Sequence, residues 1–263
     1  AVVIISVASA FFLRLHHSDA CLRAGHYQFT LGITTRPVLQ LITAGKTFLH
    51  ELRLIEVWRF SQVLQAVHSD PAIRQTLQSA KPADIMKLLG SAGVAAEGSL
   101  LPETYNFARG TSDVSLLRQA RQAMQRTLAE EWAQRASDLP YRKPEEALAM
   151  ASIVEKETAR AEERPLIAGV FVRRLQIRMM LQTDPTVIYG LGEHFDGTLR
   201  RRDLRRDTPY NTYTRAGLPP TPLCLPVRSA TPAALHPPSP YQRSSSSRRA
   251  VTPHFSSPPP PPP

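Results

Sequence analysis

Along the middle of the chain the apolar positions recur at helical spacing, and the residues around each run suit the ends of a helix. From Ser115 to Ala136, Leu117, Ala120, Met124, Leu128 and Trp132 form one stripe, which predicts a long amphipathic helix with Met124 and Trp132 in the core. Pro144, Glu145 and Glu146 predict the first turn of another helix, where a missing amide donor is harmless and negative charge meets the positive end of the dipole. Leu148, Ala151, Val154 and Glu155 then share one face, so Glu155 belongs to the side that packs inward. Glu157, rotated further at about 100° per residue, is expected to meet water. A third helix follows Pro165, burying Ile167, Val170, Phe171 and Leu175 and pointing Arg173 and Arg178 outward.

On either side of these helices the period changes. Leu52 and Leu54 alternate as in a strand, and Phe60, Val63 and Leu64 then return to helical spacing, so residues 51–66 read as strand then helix. Residues 1–48 predict a helix ending near Leu15, a turn at Gly25, a short strand from His26 to Phe29 and a helix to Ala44. The segment EGSLLPETY at 97–105 reads as loop, with Glu97 and Glu103 as solvated charges. From Leu181 onward short apolar pieces are broken by Asp184-Pro185, Gly190, Gly192, Gly197, Pro209 and Pro219-Pro220, which predicts loops of the kind on which sites are built. After Tyr241 the tract QRSSSSRRAVTPHFSSPPPPPP cannot build a core and is expected to be disordered or polyproline II.

Composition narrows the class. With 263 residues, 42% of them hydrophobic, the chain can bury a substantial core in one large domain or two smaller ones. Cys21 and Cys224 stand far apart with no CxxC or Cys/His spacing, so neither a metal site nor a disulfide framework is indicated. The net charge of +10 favours an acidic partner: nucleic acid, anionic lipid or a polyanionic wall polymer. Arg200, Arg201, Arg202, Arg205, Arg206, Arg248 and Arg249 lack the interleaved aromatics of a single-strand groove, so nucleic acid is kept only as a competing reading. The opening AVVIISVASAFFL stops at Arg14, short of the ~20 residues a membrane span needs. It reads as the tail of a truncated span or signal segment, or as a buried helix.

The chemistry centres on Glu155. A carboxyl held against apolar surface has its pKa raised, and one still protonated near neutral pH can act as a general acid. The competing reading makes Glu155, Lys156, Glu157 and Arg160 one solvated face with local ion pairs. Further on, Gln182, Tyr189, Asn211 and Tyr213 offer the neutral hydrogen-bonding and stacking groups that sugars need. Alternatively, Asp184 starts a turn, Asn211 caps one, and the tyrosines fill the core.

Four segments in order, ASIVEKET at 151–158, LQTDPTVIYG at 181–190, YNTY at 210–213 and GLPPTP at 217–222, closely resemble the YceG-like endolytic murein transglycosylases. The resemblance runs from about Phe11 to Tyr241. It implies an α+β fold: a partial LysM-like subdomain at 1–48, a helix-rich catalytic domain with a small sheet at 49–241, and a low-complexity tail at 242–263. It implies cleavage between N-acetylmuramic acid and N-acetylglucosamine in nascent peptidoglycan, leaving a 1,6-anhydro end. Glu155 matches the family's catalytic glutamate, acting as acid and then as base, with no second carboxylate required. Gln182, Asn211 and Tyr213 are the expected ligands of the sugar and of charge developing at C1. Asp184 would position the loop, Tyr189 would also bind substrate, Glu157 would assist although its predicted outward face argues against it, and the segment at 97–105 would border the cleft. No metal or organic cofactor is implied. The implied partners are glycan strands and cell-wall synthases, at the outer face of the bacterial cytoplasmic membrane through an N-terminal anchor that this chain lacks, as a fragment would.

The chain departs from the family at two places. Val57 stands after Glu56 where the pattern has glycine, so the turn is strained if that glycine supplied a positive φ. After Tyr241 a β-rich segment of the family has no counterpart, which would leave a sheet edge unpaired. The alternative to an enzyme is a non-catalytic peptidoglycan-binding protein, or an inactive fragment of such an enzyme.

Overall fold

Strands β1 (His50–Arg53) and β2 (Thr104–Phe107) pair antiparallel, with His50 opposite Phe107 and Arg53 opposite Thr104. Their alternation turns Leu52, Tyr105 and Phe107 onto a core shared with Phe60, Val63 and Val67 of α1 (Phe60–Ser69) and Ile85 and Met86 of α2 (Pro82–Leu88). In this computed structural model residues 27, 29, 32–45 and 48–238 are described, and a helix at Thr35–Thr43 precedes the sheet, ending where the sequence predicts. The helix ending near Leu15, the Gly25 turn, the strand to Phe29 as a unit, and the tail at 242–263 lie outside the described residues. The architecture is the expected helix-rich α+β fold with a small sheet. Among the described residues no helix is long and apolar enough to cross a membrane.

Helix α3 (Asp113–Ala133) joins two cores. It starts two residues before the predicted position because the Ser112 side chain accepts the Ser115 amide at 3.3 Å and so caps the first turn. Leu116, Leu117 and Ala120 enter the first core, Met124 and Leu128 meet Leu101 and Leu148, and Trp132 packs on the second core. That core surrounds α4 (Pro144–Glu157), which begins at the proline the sequence singled out. Its residues Ala147 to Glu155 are buried without a break. An all-round buried helix is one enclosed by neighbours. They are α3, α5 (Arg164–Gln176), α6 (Asp184–Leu191) and α8 (Ala230–Leu235).

Two expectations are corrected. Val170 is exposed, because the inward face of α5 runs through Arg164, Ala168, Phe171 and Val172, whereas Phe171 is buried and Ile167 and Leu175 pack on the second core as expected. The region after Leu181 is not merely loop: it holds α6, the short α7 (Arg201–Arg205) and α8. Pro185 begins α6 rather than breaking it, since it stands in the first turn where its missing N–H costs nothing.

The two cores are tied by residues 222–227. The Leu225 amide donates to the Trp58 carbonyl at 2.8 Å and the Val57 amide to the Leu225 carbonyl at 3.0 Å. Leu223 donates its amide to the Ser152 hydroxyl at 2.9 Å, one turn before Glu155. Val57 has φ 68, so the non-glycine residue does stand in a left-handed turn that disfavours β-branched side chains. Gly98 has φ +70, and a Cβ there would lie 2.4 Å from the Pro222 side chain, so only glycine lets the 97–99 loop close on this connection.

Candidate functional site

Glu155 lies two residues from the end of α4 and is 6% exposed. Its Oε1 accepts from Arg164 Nη2 at 3.1 Å, and its Oε2 accepts the Val227 amide at 3.4 Å. Arg164, itself 8% exposed, comes from the first turn of α5 and is fixed on its other side by Nη1 donating to the Ser229 hydroxyl at 2.8 Å. Burial pushes the Glu155 carboxyl above the usual glutamate value. Arg164 and the Val227 amide pull against this, and the charge of Glu56 adds to it. The sum is a carboxyl raised although it carries an ion partner, which suits a group that both gives and takes a proton.

Around it stand further titratable groups that the fold draws in from solvent. Glu97, expected as a solvated loop charge, is half-buried instead: Oε1 accepts the Phe60 amide at 2.9 Å and Oε2 the Tyr189 hydroxyl at 3.2 Å. Burial raises its carboxyl, against those two bonds and the nearby Arg59. Glu103, by contrast, is exposed as expected. Lys156 is half-buried, and burial lowers its ammonium while Glu97 and Glu155 oppose that. The Cys224 thiol, buried beside the same charges, is pushed up to about 12 by burial and is no nucleophile at neutral pH.

The remaining expected site residues fall into two groups. Tyr189 packs on Tyr210, ring centroids 4.6 Å apart, under the Arg59 guanidinium 4.8 Å from its ring, and so belongs with Glu97. Asp184 accepts the Tyr213 hydroxyl at 2.6 Å, and Glu157, exposed as predicted, accepts the Thr183 hydroxyl one residue before. Gln182, at φ 48, is exposed on the same turn, its amide donating to the Thr212 carbonyl at 3.1 Å. Asn211 differs from all of these: it is fully buried. Its amide nitrogen meets the carbonyls of Leu204 at 3.0 Å and Arg206 at 2.7 Å, and its oxygen accepts the Tyr213 amide at 2.8 Å. That leaves it holding the Tyr213 turn against the end of α7. Arg200, Arg202 and Arg206 line a cavity of about 440 Å³ with His194, Phe195 and Asp196, and Arg200 is paired there with Asp196 at 2.7 Å.

Arg164 had a legible signal. Positions 164, 168, 171, 172 and 175 are i, i+4, i+7, i+8 and i+11, so a stripe started at the arginine rather than at Ile167 would have put a cation on a buried face. Ser229 and the Val227 amide had none, because tertiary folding alone brings them to Glu155. Among the described residues no cluster of His, Cys, Asp and Glu could hold a metal ion.

Comparison with known proteins gives the same direction. The YceG-like family matches residues 2–242. An endolytic murein transglycosylase of Bacillus subtilis is 30% identical over 234 residues, covering 82% of this chain and 64% of the relative. One from Streptococcus pneumoniae is 34% identical over 145 residues, covering 53% of this chain and 26% of the relative. The chain thus spans less than two thirds of the length of these relatives. A crystal structure of a YceG-like protein from Listeria monocytogenes superposes with a TM-score of 0.60 at 30% identity, covering 88% of this chain and 81% of that one.

Proposed function

Because the chain belongs to the YceG-like family, we propose that it is a lytic transglycosylase of peptidoglycan, cutting between N-acetylmuramic acid and N-acetylglucosamine within glycan strands. The observation that carries this reading is Glu155, a carboxyl raised by burial, fixed on both oxygens and set on a rigid, enclosed helix. In the proposed step the protonated Glu155 gives its proton to the glycosidic oxygen. The C1–O bond breaks, and its electron pair leaves with the N-acetylglucosamine oxygen. The muramic C6 hydroxyl oxygen then bonds to C1, and its proton returns to Glu155. No water is consumed and the strand ends in a 1,6-anhydro ring. One carboxyl suffices because the nucleophile belongs to the substrate, whereas hydrolytic glycosidases use two.

Gln182 and the Asp184–Tyr213 pair are the proposed sugar contacts at the exposed lip, with Glu157 and Tyr189 beside them. Asn211, its amide spent on backbone carbonyls, holds that lip in place. Action on nascent strands next to cell-wall synthases, at the outer face of the cytoplasmic membrane, belongs to the same proposal.

The test is product analysis. Purified chain is incubated with uncrosslinked peptidoglycan, and the new ends are weighed by mass spectrometry. Anhydro ends support the reading. Reducing ends carrying added water would make the protein a hydrolase and turn attention to Glu56 and Glu97 as the second carboxylate. No new ends from a folded sample would leave a non-catalytic wall-binding protein.

A further inference from the structure

Arg164 is not satisfied where it stands. Two arms of its guanidinium are used, Nη1 on the Ser229 hydroxyl at 2.8 Å and Nη2 on Glu155 at 3.1 Å, while Nε is buried with no acceptor. A buried donor left unpaired is costly, and an arginine is expected to use its planar fork fully when enclosed. In a guanidinium, the Nε–H and one N–H of Nη2 point from the same edge. The unspent donor therefore lies on the side that already faces Glu155.

Resting on the transglycosylase reading, we propose that Arg164 is the residue that receives Glu155 as a carboxylate between its two proton transfers, the reserved Nε–H closing a two-point grip once the proton has left. With the acid protonated, one contact through Nη2 and the long contact from the Val227 amide hold the side chain in place. When the proton passes to the glycosidic oxygen, negative charge appears on a group that is 6% exposed and has little access to water. A bidentate guanidinium is the partner that makes such a charge tolerable in that setting. As the C6 hydroxyl proton returns, the grip loosens to its resting form. Ser229 serves as the anchor that keeps the fork edge-on throughout. Arg164 touches no reacting atom in this scheme and is a positioning residue.

The other titratable groups facing Glu155 are Glu56 from the β1–α1 turn, and Lys156 and the neutral Cys224 thiol from its own helix and from the 222–227 connection. None of them makes a hydrogen bond to its carboxyl.

Three variants and two readouts test it: Arg164→Gln, Arg164→Lys and Ser229→Ala, with soluble uncrosslinked glycan strands as substrate. Arg164→Gln is expected to lower kcat about tenfold or more with KM within about twofold, and to move the alkaline limb of the pH–rate profile upward by about one pH unit. Arg164→Lys is expected to restore the limb but little of kcat, since it returns the charge without the fork, and full recovery of kcat would overturn the two-point grip. Ser229→Ala is expected to shift the same way by less. The second readout needs no catalysis. The difference in unfolding stability between the parent and Glu155→Gln, followed against pH, reports where Glu155 titrates in the folded protein, and repeating it in the Arg164→Gln background should move that transition upward. A transition that stays put in a folded Arg164→Gln chain, or a loss appearing in KM alone, overturns the assignment of Arg164. A parent chain that makes no anhydro ends while the transition does move overturns the transglycosylase reading instead.

Discussion

Asp113 and Glu155 are both buried carboxylates, one in each core, and the molecule treats them in opposite ways. Asp113, fully buried at the start of α3, accepts from the Thr76 amide at 2.6 Å, the Leu77 amide at 2.9 Å, the Val114 amide at 2.7 Å and the Thr76 hydroxyl. Burial alone would raise its carboxyl, but these donors overcome it and hold the group below the usual aspartate value. Glu155 has one long amide contact and one arginine, and burial prevails. Both side chains are shielded from water, and the balance between burial and the number and kind of donors decides whether such an acid is a fixed structural anion or a proton carrier. The N-terminal core uses its carboxylate to fasten a helix to a loop. The C-terminal core leaves its own partly unfulfilled, which is what chemistry at that atom requires.

The largest effects should fall on opposite properties. Glu155→Gln is expected to cost about 10²–10⁴ in lytic rate while changing stability at neutral pH by no more than about 1 kcal/mol, checked by strand cleavage and denaturant unfolding. Asp113→Asn should do the reverse, lowering stability by about 2–3 kcal/mol as amide donors lose an anionic acceptor, with turnover of the folded fraction intact. A stability loss from the first variant equal to that of the second would erase the contrast.

The pH dependence of stability sharpens it further, because the signs differ. Glu155 binds its proton more tightly folded than unfolded. Its contribution is therefore fully present below the ordinary glutamate value of about 4.3 and is lost as pH rises through its raised value. Asp113 binds its proton less tightly folded. Its contribution is present above the ordinary aspartate value of about 3.9 and is lost as pH falls through its lowered value. Urea unfolding across this range should show each slope vanish in the corresponding amide variant. The same ionisation of Glu155 should form the alkaline limb of the lytic pH profile, since only the protonated acid starts the reaction.

Smaller effects probe the connection between the cores. Val57→Gly should raise stability by about 0.5–1 kcal/mol, because a β-branched residue at φ 68 costs more than glycine's lost entropy. Thermal unfolding measures this, and a destabilised variant would mean that the Val57 side chain contributes packing beyond its strained backbone. Tyr213→Phe, which removes the 2.6 Å bond to Asp184, should cost about 1 kcal/mol or less in stability and only a few-fold in rate.

How much of this could be read from the residues follows the same division. The start of α4 at Pro144, the inward face of Glu155, the outward face of Glu157 and the strained turn at Val57 were all legible, since helical period, proline position and glycine's conformational freedom are local properties. The Val227 amide on Glu155 and the Ser229 hydroxyl that holds Arg164 were not: they stand 72 and 65 residues from those partners, so neither leaves a local pattern. Glu97 was misjudged for a similar reason, because its partners Phe60 and Tyr189 lie 37 and 92 residues off in sequence. In α5 the inward positions Ile167, Phe171 and Leu175 were legible, but Val170 was misplaced and Arg164 missed, since a buried arginine offends the usual polarity rule. The helix at Asp184 was hidden by a proline that marks a helix start as often as a break.

The account stands on Glu155 being a proton carrier where Asp113 is a fixed anion. The most direct measurement is carboxyl-carbon NMR titration of the glutamate- and aspartate-labelled chain, with the two signals identified by their loss in Glu155→Gln and Asp113→Asn. Glu155 should titrate above the ordinary glutamate value and Asp113 below the ordinary aspartate value. A Glu155 signal that titrates at or below the ordinary value would make it a second structural anion and contradict its role as the acid.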